Sequence, residues 1–465
     1  MSQPIAIPSR DDPTVAAASE WVGGPVGRRA LPRSGWWTPV RIALAVASFV
    51  LALGFIADQP CRDDGWADRG DRAMWTSLCY SDVAILYRER GFVDDQVAYR
   101  DTLLEYPVLT GIAMQATALL VDAFSDAEAA GDPDRALAES VSFYDLTAVM
   151  MALAAFVVVI ATARTVRSRP WDGVLVAASP LLLLSATVNW DLLAVALASL
   201  AILAWTRERP LAAGIMIGLG TAAKLYPVLL LGPMFLVAWR STDRPAALRA
   251  FAVMFGSSVV AWAAVNLPIA LWAPDGWRFF FTFNSDRQAD FGSTWQGIDV
   301  LAPGLLPADL NPLLLVVAAG LFVLITALAL TAPEPPRLAQ LVFLAVAAFL
   351  LVNKVWSPQY TLWLLPLAVL ARPRVRELAI WQAAEVAYFV VVWLYLASLY
   401  DQDRVLISAE GYAFVIVVRV VALLWFAALV VRDILRPEND PVRPYVDEEE
   451  SSRRRAGRRS GVPAT

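Results

Sequence analysis

Apolar stretches long enough to cross a bilayer recur along the whole chain, and they constrain it more than any other feature. A hydrocarbon core of about 30 Å takes roughly 20 apolar residues in a helix. Residues 41–57, 146–163, 250–272, 313–331 and 379–399 meet or nearly meet that length. They are apolar all round, whereas a helix lying on a water-soluble core keeps a polar face at a 3.6-residue period. Charge agrees: 17% of the 465 residues are charged, against about 25% in a soluble chain, and the charges fall between the apolar stretches. The pattern predicts an all-α polytopic membrane protein.

Arginine positions orient it, because cytoplasmic loops accumulate positive residues. The short connections 164–169, 207–209, 240–249 and 372–376 carry arginine and are placed inside. Residues 58–106, 122–144, 189–191, 224–227, 274–311, 353–360 and 400–408 alternate with them and are placed outside. The stretch 106–123 has both flanks outside. It is therefore re-entrant or interfacial, or one neighbouring boundary is displaced. About 12–13 transmembrane helices are expected in a bacterial plasma membrane, with both termini cytoplasmic. Residues 1–40 lack an apolar run with a small-residue cleavage site and read as a disordered cytoplasmic leader. Residues 41–432 form the membrane domain. The Pro-rich, charged tail 433–465 cannot bury enough apolar surface to fold and reads as disordered.

The chain has no histidine, which removes the commonest general base, proton relay and metal ligand together. No metal site and no cofactor are expected. Its two cysteines, Cys61 and Cys79, share the first external loop. An oxidising compartment permits a disulfide there; two unpaired thiols are the alternative.

That loop, 58–106, carries eleven acids and six arginines. Within it Ser81 is a good helix N-cap and Gly91 a good stop, so Ser81 to Arg90 reads as a short helix. Its apolar residues Val83, Ile85, Leu86 and Tyr87 suit the membrane surface. Asp82, at its start, is either one capping carboxylate among eleven or a general base. Partial desolvation among Tyr80, Val83 and Leu86 raises a carboxylate's basicity toward what a base requires. Asp101 and Glu105 are rivals on the same reasoning.

Only two of the 38 basic residues are lysine, Lys224 and Lys354. Each ends an apolar stretch on the predicted outer side and precedes an aromatic–proline turn, Lys224-Leu225-Tyr226-Pro227 and Lys354-Val355-Trp356-Ser357-Pro358-Gln359-Tyr360. An ionisable group at membrane depth costs several kcal/mol and is a functional candidate by default. A compact ammonium suits a phosphate; snorkelling to the headgroups is the plain alternative. Asn189-Trp190-Asp191 is a polar island between apolar helices, either a capped turn or a substrate contact. Residues 277–295 mix Arg287 with many aromatics, which suit an interfacial anchor or sugar stacking.

Taken in order, Tyr80-Ser81-Asp82, Glu105-Tyr106-Pro107, Asn189-Trp190-Asp191, Lys224-Leu225-Tyr226-Pro227 and Ser357-Pro358-Gln359-Tyr360 resemble the GT-C superfamily. Within it they resemble the actinobacterial polyprenyl-phosphate-mannose-dependent mannosyltransferases of glycosyltransferase family 87. The resemblance runs from about Arg41 to Arg432. It implies a GT-C-like helix bundle and an inverting hexosyltransferase that moves mannose from a polyprenyl-phosphate donor to a glycolipid or polysaccharide acceptor outside the membrane. The family's catalytic acid lies in the first external loop, and Asp82 is the matching position. Lys224, Lys354, Tyr226, Gln359, Tyr360, Asn189, Asp191, Arg287, Asp101 and Glu105 are the candidate substrate contacts. A role that relatives give to a histidine is vacant here or filled by Lys354 or Gln359. The expected partners are membrane lipids and the two substrates, with no nucleic acid. A flippase of lipid-linked sugars would use the same lysines without a base, and a scaffold in envelope assembly would use neither.

Overall fold

The structure, a computed structural model, describes residues 36–67, 73–124, 133–400 and 403–444, and among them the regular elements are helices. Six are long and apolar enough to cross a membrane: Pro39–Ala57, Arg135–Thr165, Arg244–Trp272, Asn311–Thr331, Val375–Tyr400 and Ala409–Leu435. Six shorter apolar helices accompany them: Val108–Phe124, Asp191–Thr206, Pro210–Ala223, Tyr226–Trp239, Leu338–Val352 and Pro358–Ala371. A split pair, Asp172–Ala177 and Pro180–Ser185, is broken where Ser179 caps the second half.

Side-chain contacts sort the connections into two ends. At one end Asp58 accepts from Tyr144 and Thr187, Ser81 donates to the Thr187 carbonyl, and Lys354 donates to the Ser285 carbonyl. At the other, Arg207 reaches the Arg164 carbonyl, Arg240 the Ala329 and Ala332 carbonyls, and Arg372 pairs with Asp433. These are the two sets of loops that the arginine pattern separated. Between the ends run the six long helices, five of the shorter ones and the split pair, which makes twelve passages among the described residues.

Val108–Phe124 is not one of the twelve. Thr110 near its start bonds the Ala223 carbonyl, Gln115 accepts from the Ala98 amide, and Asp122 near its end faces Asp95 of the first loop. Both ends therefore stay on the loop side, which resolves the conflict over 106–123 in favour of an interfacial helix.

Close approach packs Pro210–Ala223 against Arg244–Trp272. Gly214 and Gly218 lie four apart on Pro210–Ala223. A Cβ there would sit 2.1 Å from the Met254 carbonyl oxygen and 2.3 Å from that of Ser258. Small residues at this spacing let two membrane helices touch along their backbones. Asn311–Thr331 lies at the opposite extreme, with Leu315, Val316, Val323 and Leu324 all exposed. That helix faces lipid.

Two expectations need correction. The Asp82–Glu89 helix forms as predicted, with Ser81 accepting from the Val83 amide and Gly91 following at φ +67°. Its apolar residues do not turn toward lipid. Val83, Ala84, Leu86 and Tyr87 are buried in protein, and Tyr87 packs on Phe143 at 4.8 Å. Its apolar face is a core face. The tail also starts later than residue 433: Ala409–Leu435 carries the buried Asp433, and beyond it Arg337 donates to both oxygens of the buried Asp440 (2.7 and 2.9 Å). Two acids that read as solvated charge are instead partners of arginines at the bundle end. Residues 1–35 of the leader and 445–465 of the tail lie outside the described residues.

If the loop end faces outward, Ser285→Cys, at an exposed position, should react with a membrane-impermeant thiol reagent in intact cells. Ser241→Cys, in an arginine-bearing connection at the other end, should be shielded. The native cysteines are silent in this experiment because Cys61 and Cys79 are joined in a disulfide. The reverse labelling pattern would invert the orientation.

Candidate active site

Helix length makes the site. Asp191–Thr206 has 16 residues, Pro210–Ala223 14 and Leu338–Val352 15, so each rises about 21–24 Å against the 30 Å core of a bilayer. The central helices stop short at the loop end, and their connections are set into the bundle. A cavity of about 520 Å³ opens there. Its walls come from the first loop, the 187–189 turn, Lys224, residues 280–291 and the Ser357–Tyr360 turn.

Asp82 is held on this wall at both oxygens. Tyr80 donates its hydroxyl to Oδ1 at 2.7 Å, and Asn189 donates Nδ2 to Oδ2 at 2.9 Å. The Asp82 amide in turn donates to the Val188 carbonyl at 2.9 Å, so the helix start is pinned to the 187–189 turn. Burial pushes the carboxyl above its ordinary value, and the hydrogen bonds from Tyr80 and Asn189 and the charge of Lys224 oppose that rise only in part. The result is a carboxylate more basic than a solvated one and fixed in position. The disulfide anchors the approach to it: Cys79 immediately precedes Tyr80, and its carbonyl accepts from the indole of buried Trp66 at 2.8 Å.

Three cations reach the cavity, and they differ in commitment. Arg90 is bound by both carboxylate oxygens of Glu105, at 2.9 and 2.7 Å. Arg287 is engaged by Asp290, Nε to Oδ2 at 2.8 Å. Lys224 stands 3.4 Å from Asp191, longer than a tight ion pair, with its ammonium over the rings of Tyr106 (5.3 Å) and Tyr360 (5.2 Å). Its ion pair is the longest of the three, and its side chain is the least exposed, 15% against 29% for Arg90 and 32% for Arg287.

Of the residues singled out from sequence, Asp82, Asn189, Lys224, Arg287, Gln359, Tyr360 and Glu105 line the cavity. Four do not. Asp191 lies one layer behind, accepting from the Trp363 indole at 2.7 Å while facing Lys224. Tyr226 is buried in a stack with Trp363, ring centres 4.5 Å apart. Lys354 donates to the Ser285 carbonyl (2.8 Å) and to Asn311 Oδ1 (2.9 Å), which ties two loops together instead of presenting a charge to the cavity. Asp101 is engaged by the exposed Arg100 and the Val97 amide outside the cavity.

Sequence reasoning missed Arg90 and Glu89, yet a signal existed. Asp82, Leu86, Glu89 and Arg90 follow the i, i+4, i+7, i+8 spacing of one helical face, and all four line the cavity. Trp75 and Trp393 carried no such mark, since aromatics are common throughout this chain.

Residues 135–353 match the family model described as glycosyltransferase family 87. That segment includes Asn189, Asp191, Lys224, Tyr226 and Arg287, and it leaves Asp82 and the 354–360 turn outside. None of the curated proteins compared matches the chain. Among solved structures, the crystal structure of ArnT from Cupriavidus metallidurans bound to undecaprenyl phosphate is similar at 15% identity. The alignment covers 84% of this chain and 77% of that one, with a TM-score of 0.40. Over its matched segment the chain resembles glycosyltransferase family 87.

Proposed function

We propose that the protein transfers a sugar, mannose, from a polyprenyl-phosphate donor to a hydroxyl of a glycolipid or polysaccharide acceptor on the outer face of the plasma membrane, with inversion at the anomeric carbon. The observation that carries this reading is the presence, in one cavity, of a carboxylate fixed at both oxygens and a lysine. Asp82 takes the acceptor hydroxyl's proton. The freed oxygen forms its bond to the anomeric carbon, and the bond from that carbon to the phosphate oxygen breaks. The polyprenyl phosphate leaves with the electron pair. Phosphate is a good leaving group, so one carboxylate serves where glycoside hydrolysis takes two. A cation at the phosphate stabilises the charge that develops there; we assign that role to Lys224, with Arg287 lining the same cavity. A flippase would need the cation and would have no use for a basic carboxylate held at both oxygens.

The test is incubation of the purified protein with a panel of radiolabelled polyprenyl-phosphate sugars and candidate acceptors. Acceptor-dependent label transfer from the mannose donor is the expected result; transfer from none of the lipid-linked donors would end this reading. Within it, Lys224→Ala should weaken donor use by about 1–3 kcal/mol, the worth of a charge-assisted contact. Lys224→Arg should rescue only partly, because a planar fork is not a point charge. Lys354→Ala should leave donor affinity unchanged, since its ammonium is spent on Ser285 and Asn311. Donor affinity lost in the Lys354 variant but kept in the Lys224 variant would move the phosphate to the other lysine.

A further inference from the structure

The contacts around Asp82 have two unlike sides. From Oδ2 they run through Asn189 to Tyr106, which receives the other amide hydrogen at 2.7 Å, and from that ring to the ammonium of Lys224. This side carries a cation, Lys224, which is paired with Asp191 behind it. From Oδ1 they run to the Tyr80 hydroxyl, and the Tyr80 ring belongs to an uncharged aromatic cluster. Tyr80 lies 4.7 Å from Trp75 with planes 14° apart, and 4.9 Å from Trp393 with planes 36° apart. Trp75 and Trp393 are 5.8 Å apart. All three line the cavity.

The lysine side fits a phosphate. The aromatic side fits something else. A pyranose ring presents a face of C–H groups that packs on aromatic rings, while its hydroxyls point outward at the rim and need polar partners. Tyrosine and tryptophan combine a large apolar face with a polar edge for such a ligand. Gln359, on the same cavity, keeps its side-chain oxygen without a hydrogen-bond partner. Rotation about its last, soft torsion offers that acceptor to a hydroxyl.

We propose that Trp75, Tyr80 and Trp393 form the acceptor subsite, taking the face of the acceptor's pyranose on their rings. This deepens the glycosyl-transfer reading and rests on it for the word acceptor. The geometry of the subsite does not. The base touches both sides, through the Tyr80 hydroxyl on one and the Asn189 amide on the other.

Equilibrium binding of tritiated octyl α-mannoside to the purified protein, with no donor present, tests the subsite apart from turnover. Wild type should bind saturably. Trp75→Leu should bind about 10-fold more weakly or worse, Trp75→Phe should stay near wild type, and Lys224→Ala should be unaffected. An octyl glycerol ether, which keeps the chain and hydroxyls without the ring, should not compete. Trp75 is only half-buried, so its variants remain informative if the more deeply buried Trp393→Leu fails to fold. No saturable binding by wild type, or binding that Trp75→Leu leaves unchanged, overturns the proposal. Binding as described without transfer from any polyprenyl-phosphate sugar leaves the subsite standing and removes the transferase reading alone.

Discussion

Replacing Asp82 with asparagine should lower turnover at least about 100-fold, the usual worth of a positioned base, while donor binding survives. The change keeps the shape, and the amide can still meet the Tyr80 and Asn189 side chains that hold the carboxylate. What it removes is the proton acceptor. The pH profile gives a second readout. Asp82 must be ionised to act, and burial raises its pKa, so in wild type the acid limb of kcat/KM should lie above the ordinary aspartate value of about 3.9. Activity should rise as pH rises through that limb, and the residual activity of Asp82→Asn should lack it. Asp101→Asn is the control from the same loop, because Asp101 lies outside the cavity and is engaged by Arg100. Near-normal turnover in Asp82→Asn with loss in Asp101→Asn would show that the base had been misassigned.

The largest effect on stability is expected at Arg419, which no sequence signal marked. Its guanidinium is fully buried between the rings of Trp356 (3.9 Å) and Tyr388 (4.0 Å), and Nε donates to Glu385, also fully buried, at 2.7 Å. Nη1 donates to the Trp356 carbonyl at 2.6 Å. That carbonyl opens the Ser357-Pro358-Gln359-Tyr360 turn, so the arginine holds a cavity wall from behind. Arg419→Met leaves Glu385 buried without its counter-charge, a loss of about 3–5 kcal/mol. It should appear as a large fall in the thermal denaturation midpoint in detergent. Glu385→Leu combined with Arg419→Met removes both charges and should recover most of that stability. Donor use should stay impaired in the double variant, because the turn has lost its tether. A double variant no more stable than Arg419→Met would show that the stacking on Trp356 and Tyr388, and not the charge pair, is what the bundle loses.

Apolar length and arginine position were enough to separate the two ends of the bundle, because both follow from local composition. The short helix after Ser81 was legible for the same reason: a cap, a stop and an eight-residue helix between them. Its burial was not legible, since an apolar face reads alike whether lipid or Phe143 covers it. Lys224 and Lys354 illustrate the limit more sharply. They share rarity, position and an aromatic–proline context, yet Asn311 and the Ser285 carbonyl claim one ammonium while the other stands over two rings at the cavity. Which partner a lysine meets is a long-range fact, set here by how residues 274–311 return over the bundle. The acids Asp433 and Asp440 hid in a charged tail in the same way, their arginines lying 61 and 103 residues away.

The most direct test of the central claim separates transfer from transport in one vessel. Proteoliposomes holding the purified protein, polyprenyl-phosphate mannose labelled in the sugar and a glycolipid acceptor would be sampled over time, with the label on donor and on acceptor measured separately. The account predicts that label moves onto the acceptor, that it does so only when acceptor is present, and that Asp82→Asn abolishes the movement. Label that crosses the bilayer while remaining on its polyprenyl phosphate, at equal rates in wild type and Asp82→Asn, would contradict it.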